Sequence, residues 1–387
     1  MKILFSTGPG LGHFLPVVPF AWAARAAGHD VIMVTTGPAI QACASAGLPA
    51  IDALPDFNFK DIAKRNRKDV QRFRDPFSDA ALPLVAEMMA GISDKMADRT
   101  VEMAKSWKPD SIVHTPFNAN GSLVATLLSI PTVVQGFGLL SIGKLTGLTG
   151  LIYEKMRPAC ERNGVTGELV RPAAIIDTCP PSMRESDRPS AWFCRYVPYN
   201  GGGSLPDWLV EAPSRPRICV TLGTALPHVA GVGGLSGVID AVRDLDVDVI
   251  LALGGTDPAV LGTLPSNVRT VGWVPLSELA PTCSAIVHHG GAGTTMNALV
   301  AGVPQLVLPH MADQHGNAKA VQHRGVGLMH LPEEANAQTV QRSLRQLLEG
   351  STFTQAAQEV RQENENQVPP ADIVPHLVEL GRRPCRS

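Results

Sequence analysis

The chain has 387 residues, room for two domains at roughly 100–200 residues each, and with 44% hydrophobic residues it can fill two ordinary cores. Its formal charge is −2, from 35 acidic and 33 basic side chains interspersed without long runs, which excludes partners held by bulk charge, such as nucleic acid or a membrane surface. No stretch approaches the roughly 18 consecutive apolar residues of a membrane span, and the seven cysteines, odd in number and without a C-x-x-C pair, read as reduced thiols of a cytoplasmic protein with no zinc site.

The opening MKILFSTGPG reads as a strand running into a turn, not as a signal peptide. Ile3 to Phe5 is the strand, Gly8-Pro9-Gly10-Leu11-Gly12 the loop, and Val17 to Ala27 a helix that stops at Gly28. Val31 to Val34 has the unbroken apolar character of a parallel strand buried on both faces. A helix is expected over Ile40 to Ala46, a charged insertion over residues 56–80, and a long helix over Leu82 to Trp107. Ser111 to His114 and Thr132 to Gln135 read as further strands.

Three glycines between two prolines, in Val197-Pro198-Tyr199-Asn200-Gly201-Gly202-Gly203-Ser204-Leu205-Pro206, mark a linker. Beyond it the pattern restarts, with strands at Ile218 to Leu222, Val247 to Leu253, Ala285 to His288 and Gln305 to Leu308. Repeated strand–loop–helix units on both sides of a linker predict an α/β protein of two Rossmann-like, doubly wound domains. The expected bounds are 1–198 for an acceptor-binding domain, 199–214 for the linker and 215–365 for a nucleotide-binding domain; residues 366–387 form an amphipathic helix that can pack back on the first domain. Ligands of such sheets bind beyond the carboxyl ends of the strands, so two facing sheets predict one cleft between them.

The strongest chemical signal is His288-His289-Gly290-Gly291-Ala292-Gly293-Thr294-Thr295 between a strand and a helix. Gly291 and its fellow glycines admit a ligand close to the backbone, and the helix start offers free N–H groups to an anion. His289 and Thr294 can donate to phosphate oxygens, so the composition points to phosphate. Downstream, Asp313 and Gln314 suit sugar hydroxyls, although Asp313 also suits a helix N-cap. Upstream, Trp273 and Val274 offer an indole and an apolar edge for a base, although a lone tryptophan is usually core.

These motifs carry a resemblance. The run Asn267 to Gly327, with HHGGAGTT followed by VPQLVLPHMADQ, resembles the donor half of family-one, GT-B-fold glycosyltransferases, in particular actinomycete enzymes that decorate antibiotics and other polyketides. GPGLGHFLP resembles the acceptor-side loop of the same family, and residues 175–203 resemble its approach to the linker. The resemblance spans nearly the whole chain. It implies inverting transfer of a deoxysugar from a nucleotide diphosphate, with thymidine favoured over uridine, and no metal or other cofactor. It implies a base site at Trp273 and Val274 and phosphate contacts from His289, Gly293 and Thr294. Gly223 and Thr224 match a second phosphate-side loop, Asp313 and Gln314 would hold the sugar, and His13 matches the general base. Many relatives carry an aspartate that orients this histidine; here Thr115 stands at that place, so His13 is expected to work alone, with a pKa near its ordinary value.

The acceptor is expected to be flat and apolar, lying near Phe14, Met88, Met89, Phe137 and the stretch Leu139 to Leu151, with core packing the equal reading for the two methionines. A nicotinamide site is set aside because His13 occupies the third glycine position of G-x-G-x-x-G and no acid ends the second strand. Asp244-Leu245-Asp246 reads as a solvated connection rather than a metal motif, and His310 with His315 lacks a third ligand. A sugar-nucleotide epimerase and a catalytically silent transferase helper are the alternatives; a homodimer is compatible with either.

Overall fold

The apolar runs form the centres of two parallel sheets in the computed structural model, which describes residues 1–58, 81–139, 142–184, 191–223 and 235–382. The first sheet holds β1 (Lys2–Ser6), β2 (Asp30–Thr35), β3 (Ala50–Asp52), β4 (Ser111–His114), β5 (Thr132–Gln135), β6 (Ala174–Asp177) and β7 (Ala191–Phe193), in the order β3-β2-β1-β4-β5-β6-β7. The second holds β8 (Arg217–Thr221), β9 (Asp248–Ala252), β10 (Val268–Val271), β11 (Ala285–His288), β12 (Gln305–Val307) and β13 (Gly327–Met329), in the order β10-β9-β8-β11-β12-β13. Every pairing is parallel.

Both sheets are doubly wound, and strand order reverses once in each: between β1 and β4, and between β8 and β11. The loop carrying His13 follows β1, and the glycine-rich turn follows β11. Each motif therefore lies at a topological switch point, where a doubly wound sheet opens a crevice for ligand.

Two expectations shift in detail. The helix expected over Val17 to Ala27 begins earlier, as a helical turn Leu11–Phe14, a 3₁₀ turn Leu15–Val17 and a helix Val18–Ala26. Pro16 and Pro19 lack the N–H groups that a continuous helix would need there. Residues 59–80, most of the expected insertion, lie outside the described residues.

The chain passes between the sheets twice, and the two passages are fastened together. The Tyr196 backbone N–H donates to Asn364 Oδ1 (2.9 Å), Asn364 Nδ2 donates to the Tyr196 carbonyl (3.1 Å), and the Arg195 N–H donates to the Val368 carbonyl (2.7 Å). Cys179, Met183 and Tyr196 already pack with Met296, Leu299 and Val321 around the second sheet, upstream of the glycine run. The last helix, Pro370–Arg382, returns to the first sheet, where Ile373, Val374 and Leu377 pack with Val18, Phe20 and Ala24. Leu377 is fully buried. Leu377→Ala should cost about 2–5 kcal/mol of stability, the usual cost of a core cavity; a urea denaturation midpoint unchanged from the parent protein would contradict this packing.

Candidate active site

One half of the candidate site, where the sequence places the donor, is built on the turn after β11. The two histidines of this turn do different work. The Gly290 N–H donates to His288 Nδ1 (3.0 Å), so His288 carries its proton on Nε2 and donates to Gln305 Oε1 (2.8 Å). Burial holds its pKa down at about 4, and the neutral ring serves to fix the glycine turn. His289 is held down at about 3, first by burial and then by His288 and His310, against a smaller opposing contribution from a hydrogen bond with the Thr221 backbone. Its Nδ1 is buried and has no partner.

The His289 ring lies between two glycines. A Cβ on Gly223 would collide with ring carbon Cε1, and a Cβ on Gly291 would collide with Nε2. Gly223 also has φ +66°, which L side chains avoid. The switch-point strands β8 and β11 therefore come together through glycine, imidazole and glycine. A pocket lined by Thr221, Gly223, Leu253 and Thr256 opens beside them at the ends of β8 and β9. Thr224 lies outside the described residues.

The helix Ala292–Ala301 begins at Gly291 without a side-chain cap, leaving its first N–H groups and positive dipole end for an anion. Gly293 and Thr294 sit half-buried in that first turn. Part of this potential is already taken by Asp313. Burial raises the pKa of its carboxyl, while hydrogen bonds from Asn317, its own backbone and the Ala292 N–H act in the opposite direction. Asp313 makes no side-chain cap to the helix Gln314–Arg324 that it precedes. Gln314 is buried, and its Oε1 accepts from the His310 N–H (2.9 Å) and the Met311 N–H (3.0 Å). Both residues shape the loop after β12, in which Ala312 is held at φ +55°. Such a conformation costs a non-glycine residue about 1–3 kcal/mol and is found disproportionately at functional sites. At the far edge, Trp273 follows β10 and is 49% exposed, while Val274 packs on the core with Leu279 and Ile250.

The other half, where the sequence places the acceptor, is built on the turn after β1. The half-buried His13 ring lies 4.9 Å from the Phe137 ring and 5.6 Å from the Phe117 ring, centroid to centroid, and the two phenyl rings are 5.8 Å apart. This aromatic surround pushes the pKa of His13 down to about 4 by desolvation, with no carboxylate opposing it. The expected near-ordinary value is thus corrected: the missing aspartate leaves burial unopposed. Phe14 is corrected too. It is fully buried in the core with Val17 and Val113, because successive residues of the helical turn are rotated by about 100°, which aims Phe14 inward and His13 toward the site. Met88 is half-buried on the helix Leu82–Trp107, and Met89 packs against the core beneath it. Of the stretch Leu139 to Leu151, residues 140 and 141 lie outside the described residues. Phe117 went unread in the sequence; its signal was its place just past β4, at the same carboxyl edge as His13.

Thr115 and His114 part company. Strand register aligns Thr35, Thr7, Thr115 and Gln135 in one buried polar row at the carboxyl edge of the first sheet. Thr7 Oγ1 donates to Thr35 Oγ1 and Thr35 in turn to the Gly8 carbonyl (both 3.0 Å), while Gln135 Nε2 donates to the Pro16 carbonyl (2.9 Å), so the row carries the turn that presents His13. His114 points to the other face, within 3.5 Å of Ser122 Oγ.

The two sides touch. A Cβ on Gly138, in the loop after β5, would sit 2.7 Å from Ala292 Cβ at the start of the helix Ala292–Ala301. Among the described residues no group of three or more His, Cys, Asp or Glu is placed to hold a metal ion, and no helix is long and apolar enough to cross a membrane.

Sequence profiles for the N-terminal and C-terminal domains of erythromycin biosynthesis protein CIII-like enzymes match residues 22–223 and 236–380. The chain belongs to the EryCIII-like glycosyltransferase family. This EryCIII-like enzyme is 38% identical, over 97% of each chain, to the elloramycin glycosyltransferase ElmGT of Streptomyces olivaceus. Its fold superimposes with a TM-score of 0.83 on the glycosyltransferase SnogD from Streptomyces nogalater, at 40% identity over 98% and 99% of the two chains. It superimposes at 0.84 on the glycosyltransferase VinC in complex with dTDP, at 30% identity over 99% and 100%. The EryCIII-like enzyme therefore has the GT-B fold and is a glycosyltransferase of the antibiotic and polyketide class.

Gly223→Ala should force the left-handed backbone and the His289 contact to give way together, a strain on the order of 1–3 kcal/mol. Weaker binding of thymidine diphosphate by calorimetry is the expected result; wild-type affinity in a folded variant would show that the imidazole is not held by this glycine.

Proposed function

We propose that the protein transfers a deoxysugar from thymidine diphosphate to an aromatic polyketide acceptor, with inversion at the sugar carbon and His13 as general base. The observation that carries this reading is the contact of Gly138 with Ala292, which sets the His13–Phe117–Phe137 surface against the start of the phosphate-facing helix. The donor would run along the carboxyl edge of the second sheet, its base at Trp273 and Val274, its diphosphate at Gly223, His289, Gly291, Gly293 and Thr294, and its sugar toward Asp313 and Gln314. From β10 to β12 is four strand spacings, about 19 Å, an extent suited to an extended nucleotide sugar. Because the Gln314 amide oxygen is already engaged, its NH₂ is the group offered to the sugar.

In the reaction, the acceptor oxygen forms its bond to the anomeric carbon as that carbon's bond to the phosphate oxygen breaks. The acceptor proton passes to the free nitrogen of His13. The negative charge left on thymidine diphosphate is met by the helix N-terminus, His289 and Thr294. A base with a pKa of about 4 takes a loosely held proton best, which favours phenolic acceptors.

The pH dependence tests the base. His13 works only when neutral, and its pKa is lowered to about 4, so activity should persist into mild acid and be lost as pH falls through 4. A base at its ordinary pKa would begin to fail near 6.5. His13→Ala should lower the rate roughly 10²–10⁴-fold on an aromatic aglycone with a thymidine diphosphate deoxysugar. Near-normal turnover by that variant, or an acid limb at 6.5 in the parent enzyme, would refute the assignment.

A further inference from the structure

We propose that Asn200 is a positioning residue for nucleotide recognition: it holds the Trp273 indole by its edge so that the ring face stays open to the base. The proposal rests on the reading that the base lies at Trp273.

A tryptophan 49% exposed at the end of an edge strand has little packing to fix its side chain. Here the indole Nε1–H donates to the Asn200 carbonyl (2.9 Å). The same residue's side chain reaches past the indole, and the Ser277 N–H donates to Asn200 Oδ1 (2.9 Å). Ser277 lies in the helical turn Leu276–Leu279, whose early N–H groups have no partner within the turn. Asn200 thus grips the segment on both sides of Pro275. The next residue makes the grip possible: Gly201 has φ +86°, and a Cβ there would lie 3.3 Å from Trp273 Nε1. An edge-on hydrogen bond uses the indole N–H and leaves the π face available for stacking.

The neighbour on the other side faces the other way. The Tyr199 ring lies 4.8 Å from the Trp22 ring and packs against the core beneath the first sheet. Consecutive residues of the linker therefore fasten to opposite halves of the molecule, Tyr199 to the acceptor side and Asn200 to the base-side loop. The orientation of Trp273 is set by the linker and not by the second domain alone.

The test uses the full-length enzyme, with thymidine diphosphate titrated by calorimetry and the donor KM and kcat measured separately. Asn200→Ala removes the Ser277 grip and should weaken thymidine diphosphate about 3- to 10-fold, the size of one net hydrogen bond. Donor KM should rise in proportion while kcat at saturating donor holds. Asn200→Asp, which keeps an accepting oxygen, should restore most of the affinity, and quenching of tryptophan fluorescence by the nucleotide should follow the same order. Should Asn200→Ala fail to fold, Gly201→Ala, which crowds the indole N–H, should show the same rise in KM. Unchanged affinity in Asn200→Ala or Gly201→Ala beside a clear loss in Trp273→Ala would overturn the positioning role and leave the base site standing. Wild-type affinity in Trp273→Ala would remove the base site and the proposal with it.

Discussion

The site depends on one close approach between backbones. Gly138 lies in the loop after β5 of the first sheet and Ala292 begins the helix after β11 of the second, and there is no room between them for one more carbon. The proposed transfer needs a base and a leaving-group site within one reaction's reach, and on that reading each sheet alone supplies half. The switch point of the first sheet presents His13, and that of the second presents the glycines around His289. What joins the halves is the absence of a side chain at residue 138, with the two passages near Tyr196 and Asn364 fastening the sheets behind it.

Desolvation sets the chemistry on both sides. His13, His288 and His289 are all held neutral by their surroundings, at about 4, about 4 and about 3. For His288 this is structural, since a charged ring could not accept the Gly290 N–H. For His13 it keeps the ring neutral, as the proposed base must be. The aromatic rings beside it, Phe117 and Phe137, are those the proposed flat acceptor would meet, so on that reading one arrangement favours both an aromatic substrate and a loosely held proton. The polar row of Thr35, Thr7, Thr115 and Gln135 carries no carboxylate, and its hydrogen bonds go to the Gly8 and Pro16 carbonyls that bracket the turn.

The central strands were legible in the sequence because a parallel strand covered on both faces is apolar along its middle, as Ile3 to Phe5 and Ala285 to Val287 are. The three-residue edge strands β3, β7 and β13 were not, since they are only half covered and too short for a pattern. Glycine-rich turns were legible because their geometry tolerates few other residues. Facing direction was harder. Phe14 adjoins His13 yet points into the core, while Phe117, more than a hundred residues away, comes to the ring through β4. The sequence of the donor motif carried both histidines, but only register and hydrogen bonding separate the inward His288 from His289. Asp313 and Gln314 were found as a pair; the ties of Gln314 to His310 and Met311 lie within one loop, while the tie of Asp313 to Ala292 depends on how two loops meet and leaves no local trace.

The most direct test of the juxtaposition is Gly138→Val, with kcat and thymidine diphosphate affinity measured on the same preparation. The added side chain must push the loop after β5 away from Ala292, and a displacement of about 1 Å between reacting groups can cost on the order of 10²-fold in rate. The account predicts a loss of that size in kcat with nucleotide affinity unchanged, because the donor side is left whole. Wild-type kcat in the folded variant would show that the two half-sites do not depend on this contact, and the account would fail.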